Sequence, residues 1–178
     1  MRVISGKYKG KNLEGFNING TRPTMDRVKE SLFAIIQNHL SNSVILDLFA
    51  GSGSLGIEAL SNGSYKAYFV DNNSISINTI KKNLQNINEE YTILKQDYIS
   101  ALQSFKKNNI TFDIIFLDPP YQMHLINKAI QLIDEYNLLN KDGLIVCEYE
   151  QEPFNSSYSL VKEKKYGSKN IRIYQREE

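Results

Sequence analysis

The sequence is poor in the residues from which cross-links and metal centres are built. Cys147 is its only cysteine, which excludes an internal disulfide and a cysteine zinc cluster. It sits in Gly143-Leu144-Ile145-Val146-Cys147-Glu148, which reads as a buried strand and predicts a passive core thiol. The two histidines, His39 and His124, are far apart and show no ligand spacing, so no metal is expected. No apolar run approaches the roughly 18 residues of a membrane span, and no low-complexity tract interrupts the chain. The opening residues turn polar at once and show neither an apolar leader region nor a small-residue cleavage site, so a cytoplasmic location is expected.

A net charge of +1 over 178 residues hides an uneven distribution. Residues 1–30 carry seven Lys/Arg against three Asp/Glu, residues 31–161 eight against fourteen, and residues 162–178 six against three. Both ends are basic and the middle is acidic, so a polyanion would be met by the ends. Solvated charge on hairpins would give the same counts.

At this length the chain is expected to form one domain with a real core. Residues 1–22 are broken by Gly6, Gly10, Gly15 and Gly20 and read as a basic strand or hairpin arm standing apart from a large core. Residues 23–178 read as the catalytic core. Pro23-Thr24-Met25-Asp26 opens a helical pattern to about Asn38, with Val28, Leu32, Ile35 and Ile36 on one face and Thr24 or Asp26 as cap. From residue 44 the rhythm alternates. Strands are expected at 44–49, 66–71, 91–95, 112–117, 143–148, 158–165 and 170–175, and helices at 54–61, 74–87, 99–107 and 123–136. The nearly all-apolar strands 44–49 and 112–117 imply a mostly parallel sheet with helices on both faces. The last two strands, joined by Tyr166-Gly167-Ser168-Lys169, form an antiparallel hairpin. The expected fold is therefore an open α/β sheet of about seven strands, which binds ligands outside the carboxyl ends of its strands.

Two strand exits carry the chemistry. In Val44-Ile45-Leu46-Asp47-Leu48-Phe49-Ala50-Gly51-Ser52-Gly53-Ser54-Leu55-Gly56 a strand runs into a glycine-rich loop. The glycines allow a tight turn and close backbone approach, and the helix after them offers free N–H groups. Asp71 ends the next strand, placed to accept both hydroxyls of a ribose, and Asp97 follows the third, within reach of an adenine. Phe49, Ser52 and Asn72 are assigned with them to the cofactor, as is Asp118. The loop also fits the dinucleotide fingerprint. However, the Asp47 carboxylate would be a poor neighbour for a pyrophosphate and a good one for the amine of a methionyl group. Asp47 and Asp97 could instead be plain turn or cap residues.

At the second exit, Asp113-Ile114-Ile115-Phe116-Leu117 ends in Asp118-Pro119-Pro120-Tyr121. An acid, two prolines and an aromatic ring form a rigid lip able to hold the amino group of a nucleobase. The Asp118 carboxylate and the Pro119 carbonyl can each accept one N–H. Pro120 restricts Pro119 to an extended backbone, and Tyr121 can stack on the base. Together the two exits point to transfer of a methyl group to a nucleobase amine.

The segments Arg22-Pro23-Thr24-Met25-Asp26-Arg27-Val28-Lys29-Glu30, Leu46-Asp47-Leu48-Phe49-Ala50-Gly51-Ser52-Gly53 and Phe116-Leu117-Asp118-Pro119-Pro120-Tyr121 resemble the bacterial RsmD family. So do the opening Ile4-Ser5-Gly6-Lys7-Tyr8-Lys9-Gly10-Lys11, where Ser5 replaces a frequent glycine, and the closing Tyr166-Gly167. The resemblance implies a class I, Rossmann-like methyltransferase fold. It also implies S-adenosyl-L-methionine as cofactor and, as substrate, the N2 amine of one guanine in 16S ribosomal RNA, within an assembled or partly assembled small subunit. On this resemblance Asp47, Gly51 and Gly53 cradle the methionyl part, Asp71 the ribose and Asp97 the adenine surroundings, while Asp118 to Tyr121 hold the guanine. Arg22, Thr24 and Arg27 correspond to a family segment before the first central strand, and by their chemistry they could close over cofactor or grip RNA phosphate. With Arg2, Lys7, Lys9 and Lys11, Arg22 and Arg27 are the expected RNA contacts. Arg27 and Lys29 could equally form a solvated helix face. The competing readings are a DNA adenine-N6 or cytosine-N4 methyltransferase, a NAD-dependent oxidoreductase, and a non-catalytic RNA-binding or assembly factor.

Overall fold

A computed structural model describes residues 1–15, 22–120, 123–149 and 156–177. The elements are α1 (Arg22–Ile36), a short 3-10 turn (Gln37–His39), β1 (Val44–Asp47), α2 (Ser54–Ser61), β2 (Lys66–Asp71), α3 (Ser74–Asn83) and β3 (Glu90–Lys95). They continue with α4 (Tyr98–Lys107), β4 (Phe112–Leu117), α5 (Met123–Glu135), β5 (Leu139–Tyr149), β6 (Ser159–Tyr166) and β7 (Lys169–Gln175). The sheet order is β3-β2-β1-β4-β5-β7-β6. The first five strands run parallel, whereas β7 is antiparallel to both β5 and β6.

The alternation of each central strand divides the core in two. Ile45, Phe69, Ile114, Phe116 and Val146 face one side, where Val28, Leu32 and Ile36 of α1, Ile57 and Leu60 of α2 and Ile77 and Ile80 of α3 cover them. Leu46, Val70, Ile115, Leu117, Ile145 and Cys147 face the other, beneath α4 and α5. In α5 the residues Ile126, Ala129, Ile130 and Ile133 recur at helical spacing and are buried. Cys147 is fully buried, and that burial pushes its thiol pKa up, as a passive core thiol requires.

Several boundaries differ from the sequence expectation. β1 ends at Asp47, and β5 begins four residues early at Leu139, where Phe112 pairs with Leu139 before a register shift. α3 stops at Asn83. Because α1 starts at Arg22, Asp26 lies inside the helix instead of capping it, and its Oδ2 lies 3.4 Å from Arg2 Nε. Thr24 also lies within α1, but its side chain is outside the description. The N-terminal arm is not separate from the core. Arg2 and Asn12 form an isolated antiparallel bridge, while Val3 and Leu13 are 1% and 5% exposed within the α1–α3 cluster. The hairpin arm read from the sequence is present, and Val3 and Leu13 are the two apolar residues that anchor it.

Candidate functional site

The sheet grows from β1 through β2 to β3, and the chain then crosses back past β1 to β4 and grows the other way, so the switch point lies between β1 and β4. The crevice at the carboxyl ends of these strands is where open α/β sheets bind ligands. Asp47 ends β1, Asp71 ends β2, Asp97 follows β3, Asp118 follows β4, and Glu148 lies next to the end of β5.

At β1, Asp47 is 2% exposed, and its Oδ2 accepts the Gly56 N–H at 3.1 Å. Burial, then the nearby Asp71 charge, push its carboxyl up to about 7, against the opposing Gly56 hydrogen bond. No cationic side chain is paired with it among the described residues. A buried carboxyl of this kind suits a ligand that brings its own positive charge.

The loop between Asp47 and α2 is fixed from both sides. Gly53 caps α2 with φ 80, a backbone that an L side chain rarely adopts. A Cβ at Gly56 would lie 2.3 Å from the Phe69 ring, so glycine lets α2 rest directly on β2. Asp71 does double duty: its Oδ2 accepts the Gly51 N–H at 2.9 Å and its Oδ1 accepts the Asn73 N–H at 2.9 Å. The Asn83 amide donates to the carbonyls of Ser52 and Glu14, both at 2.9 Å, which ties the loop to the N-terminal arm. Ser52 is buried and Asn72 exposed. The Phe49 ring stands 5.3 Å from that of Tyr98, roofing the β1 exit toward β3.

Asp97 caps α4: its Oδ1 accepts the Ser100 N–H at 3.0 Å and its Oδ2 the Ser100 hydroxyl at 2.7 Å. Those bonds hold its carboxyl below the usual range. The alternative reading of Asp97 as a cap residue is therefore met, at the carboxyl end of edge strand β3.

Asp118 follows β4 directly, ahead of buried Pro119 and exposed Pro120. Its pKa is raised well above the ordinary value, first by burial and then by the Glu148 charge, with Lys169 opposing and Asp47 adding a smaller push. Leu117 pairs with Cys147, so the next residues along, Asp118 and Glu148, are neighbours across parallel strands. Lys169 Nζ lies 2.7 Å from Glu148 Oε1. Tyr121 lies outside the described residues.

The expected RNA contacts divide. Arg27 and Lys9 are exposed. Lys7 Nζ is 2.9 Å from Glu89, Lys11 Nζ donates to the Gln85 carbonyl at 2.8 Å, and Arg2 pairs with Asp26. Arg22 heads α1, its side chain outside the description. Lys29 is not a solvated residue: it is buried and bonded to Ser54 Oγ, the Arg2 carbonyl and Glu58. Sequence reasoning missed Glu58, Asn83, Glu148 and Lys169. For Glu148 the available signal was a charged residue closing an otherwise apolar run.

The family described as Conserved hypothetical protein 95 matches residues 1–175. YlbH of Bacillus subtilis is 40% identical over 182 residues, covering 99% of this chain and 99% of that protein. Ribosomal RNA small subunit methyltransferase D of Haemophilus influenzae is 39% identical, covering 98% of this chain and 93% of that protein. The solved structure of yhhF from Escherichia coli superimposes with a TM-score of 0.88 at 32% identity, covering 99% of this chain and 98% of that one.

Proposed function

Because the chain belongs to the Conserved hypothetical protein 95 family, the RsmD family of its motifs, we propose that it is an S-adenosylmethionine-dependent ribosomal RNA methyltransferase acting on the N2 amine of a guanine in the small-subunit RNA. The observation that carries this reading is the adjacency of two raised carboxyls, Asp47 and Asp118, at neighbouring strand exits of the switch point. One suits a cationic cofactor and the other the amine that receives the methyl group.

The residues present fit the cofactor. Asp47, the Gly51–Gly53 loop and Ser52 would hold its methionyl end, Asp71 and Asn72 its ribose, and Phe49 and Asp97 the region of its base. When bound, S-adenosylmethionine supplies a methyl group on a sulfonium centre. The Asp118 carboxylate accepts one N–H of the target amine and the Pro119 carbonyl accepts the other, which turns the nitrogen lone pair toward the methyl group. The Asp118 carboxylate would stabilise the positive charge that the nitrogen gains when the methyl carbon leaves sulfur for it, the cofactor departing as a neutral thioether. The proton then leaves to Asp118 or to solvent. Pro120 keeps the lip rigid, and Tyr121 stacks on the base. RNA in an assembled or partly assembled small subunit is the acceptor form proposed, with the reaction taking place in the cytoplasm.

The test is labelled-methyl transfer to small subunits that lack the modification, run beside naked ribosomal RNA and duplex DNA, with the product nucleoside identified by mass spectrometry. N2-methylguanine on the ribosomal substrate, reduced about 100-fold or more by Asp118→Ala with cofactor binding retained, is the expected result. N6-methyladenine or N4-methylcytosine on the DNA would overturn the reading.

A further inference from the structure

Strand direction determines which basic residues share an end of the molecule with the site. β6 is antiparallel to β7, β7 to β5, and β5 is parallel to β4. The turn from β6 to β7 therefore lies at the same end as Asp118, as the Lys169–Glu148 pair also shows. α1 begins at that end too, because Lys29 reaches Ser54, the first residue of α2.

The N-terminal hairpin tip lies at the opposite end. The Lys7 N–H donates to the carbonyl of Ser61, the last residue of α2, while the side chains of Lys7 and Lys11 meet Glu89 and Gln85 between α3 and β3. The six residues of β2 separate the two ends by about 20 Å.

At the site end, the Lys164 ammonium donates to Ser31 Oγ at 3.0 Å and the Tyr166 hydroxyl also bonds Ser31, which fastens β6 to α1. Lys162 and Lys164 stand opposite Ile173 and Ile171, whose side chains lie in the α1–α3 cluster, so both lysines project on the α1 side of the sheet. Arg27 lies one helical turn before Ser31, on the same helix face and toward the site. All three are exposed. Glu163 points to the other side of the sheet, where it pairs with Arg172 at 3.0 Å, while Glu30 is an exposed acid on α1.

We propose that the joined surface of α1 and β6, centred on Arg27, Lys162 and Lys164, grips the phosphate backbone of the RNA that presents the target base. The proposal rests on the RNA methyltransferase reading and moves the main electrostatic grip from the N-terminal tip to the C-terminal hairpin. Lys164, held by Ser31, is level with Asp118 three strands across the sheet, and with exposed Arg27 and Lys162 it can hold the strand on the flank of a splayed nucleotide. The tip lysines Lys7 and Lys11 are occupied within the protein and face away.

The experiment measures binding of a fluorescein-labelled transcript of a small-subunit ribosomal RNA domain by the full chain across a salt series. Arg27→Gln/Lys162→Gln/Lys164→Gln should weaken binding about 10-fold or more and lower the slope of log K against log salt by about two to three. Arg27→Gln/Lys162→Gln keeps the Lys164–Ser31 bond and should show a slope lowered by about two, with the wild-type urea midpoint retained. Wild-type affinity and slope in both variants overturn the proposal, as does a loss that appears instead in Lys7→Gln/Lys9→Gln/Lys11→Gln. Methyl transfer by the wild type is measured alongside. Transfer with undiminished RNA binding in the hairpin variants removes only the surface. Hairpin-dependent binding with no transfer to any nucleic acid removes only the catalytic reading.

Discussion

Lys29 Nζ stands 3.3 Å from Glu58 Oε1, with the two side chains 6% and 0% exposed, so α1 and α2 are joined by a buried ion pair. Burial lowers the Lys29 pKa, and the Glu58 charge opposes that shift. Glu58 also accepts the Ile4 and Ser5 N–H groups at 2.8 and 3.2 Å. One carboxylate therefore holds the arm, the first helix and the helix behind the glycine loop.

Removing one partner leaves the other charge buried and unpaired, at a cost of about 3–5 kcal/mol. Glu58→Gln and Lys29→Met should each lower the urea midpoint by a corresponding amount. Midpoints within error of the wild type would show that the pair is not a structural brace.

Asp47 makes apoprotein stability depend on pH. Its folded pKa, about 7, is raised, so the folded state holds a proton that the unfolded chain has already lost above the ordinary carboxyl range. The associated stability is fully present below that range and lost as pH rises through about 7. The span corresponds to about 4 kcal/mol. Asp47→Asn should flatten this part of the stability profile and abolish the gain in affinity for S-adenosylmethionine expected as pH rises toward 7. A pH profile identical to the wild type would refute the assignment.

Gly56→Ala tests the contact between α2 and β2. Alanine favours a helix over glycine by about 1 kcal/mol, but its Cβ would lie 2.3 Å from a Phe69 ring that is fully buried and has nowhere to go. Overpacking of this kind costs about 1–3 kcal/mol, so the steric effect should win. The expected outcomes are a lower melting temperature and weaker cofactor binding, measured by calorimetry. A stabilised variant would show that the ring yields.

The readable parts of this fold were those fixed by local pattern. The apolar run 112–117, the glycines after Asp47 and the turn before Lys169 announced strands, loop and hairpin without any distant partner. The difficult parts depended on residues far apart in sequence. Lys29 looks like a surface lysine until Glu58 is brought beneath it, 29 positions on. Val3 and Leu13 look like arm residues until α2 and α3 receive them. The strand-end acids at 47, 71, 97 and 118 were visible because each lies in or just after the closing residues of a strand pattern. Glu148 was not, since its importance comes from the register that sets Asp118 beside it and from Lys169 across the hairpin.

That register makes a prediction with two opposite signs. Asp118 is raised by burial and by Glu148 and lowered by Lys169. Glu148→Gln removes a repelling charge and should move the Asp118 titration to lower pH. Lys169→Met removes an attracting charge and should move it higher. If the ionised Asp118 receives the amine, activity is lost as pH falls through its pKa. The acid limb of kcat/KM on ribosomal substrate should therefore shift down in the first variant and up in the second, with Lys169→Arg restoring the wild-type profile. Carboxyl carbon-13 NMR of the apoprotein reads the same shifts of Asp118 without turnover. Shifts in the same direction would mean that both substitutions merely loosen the strand ends. Opposite shifts mean that Glu148 and Lys169 set the charge of the acceptor lip.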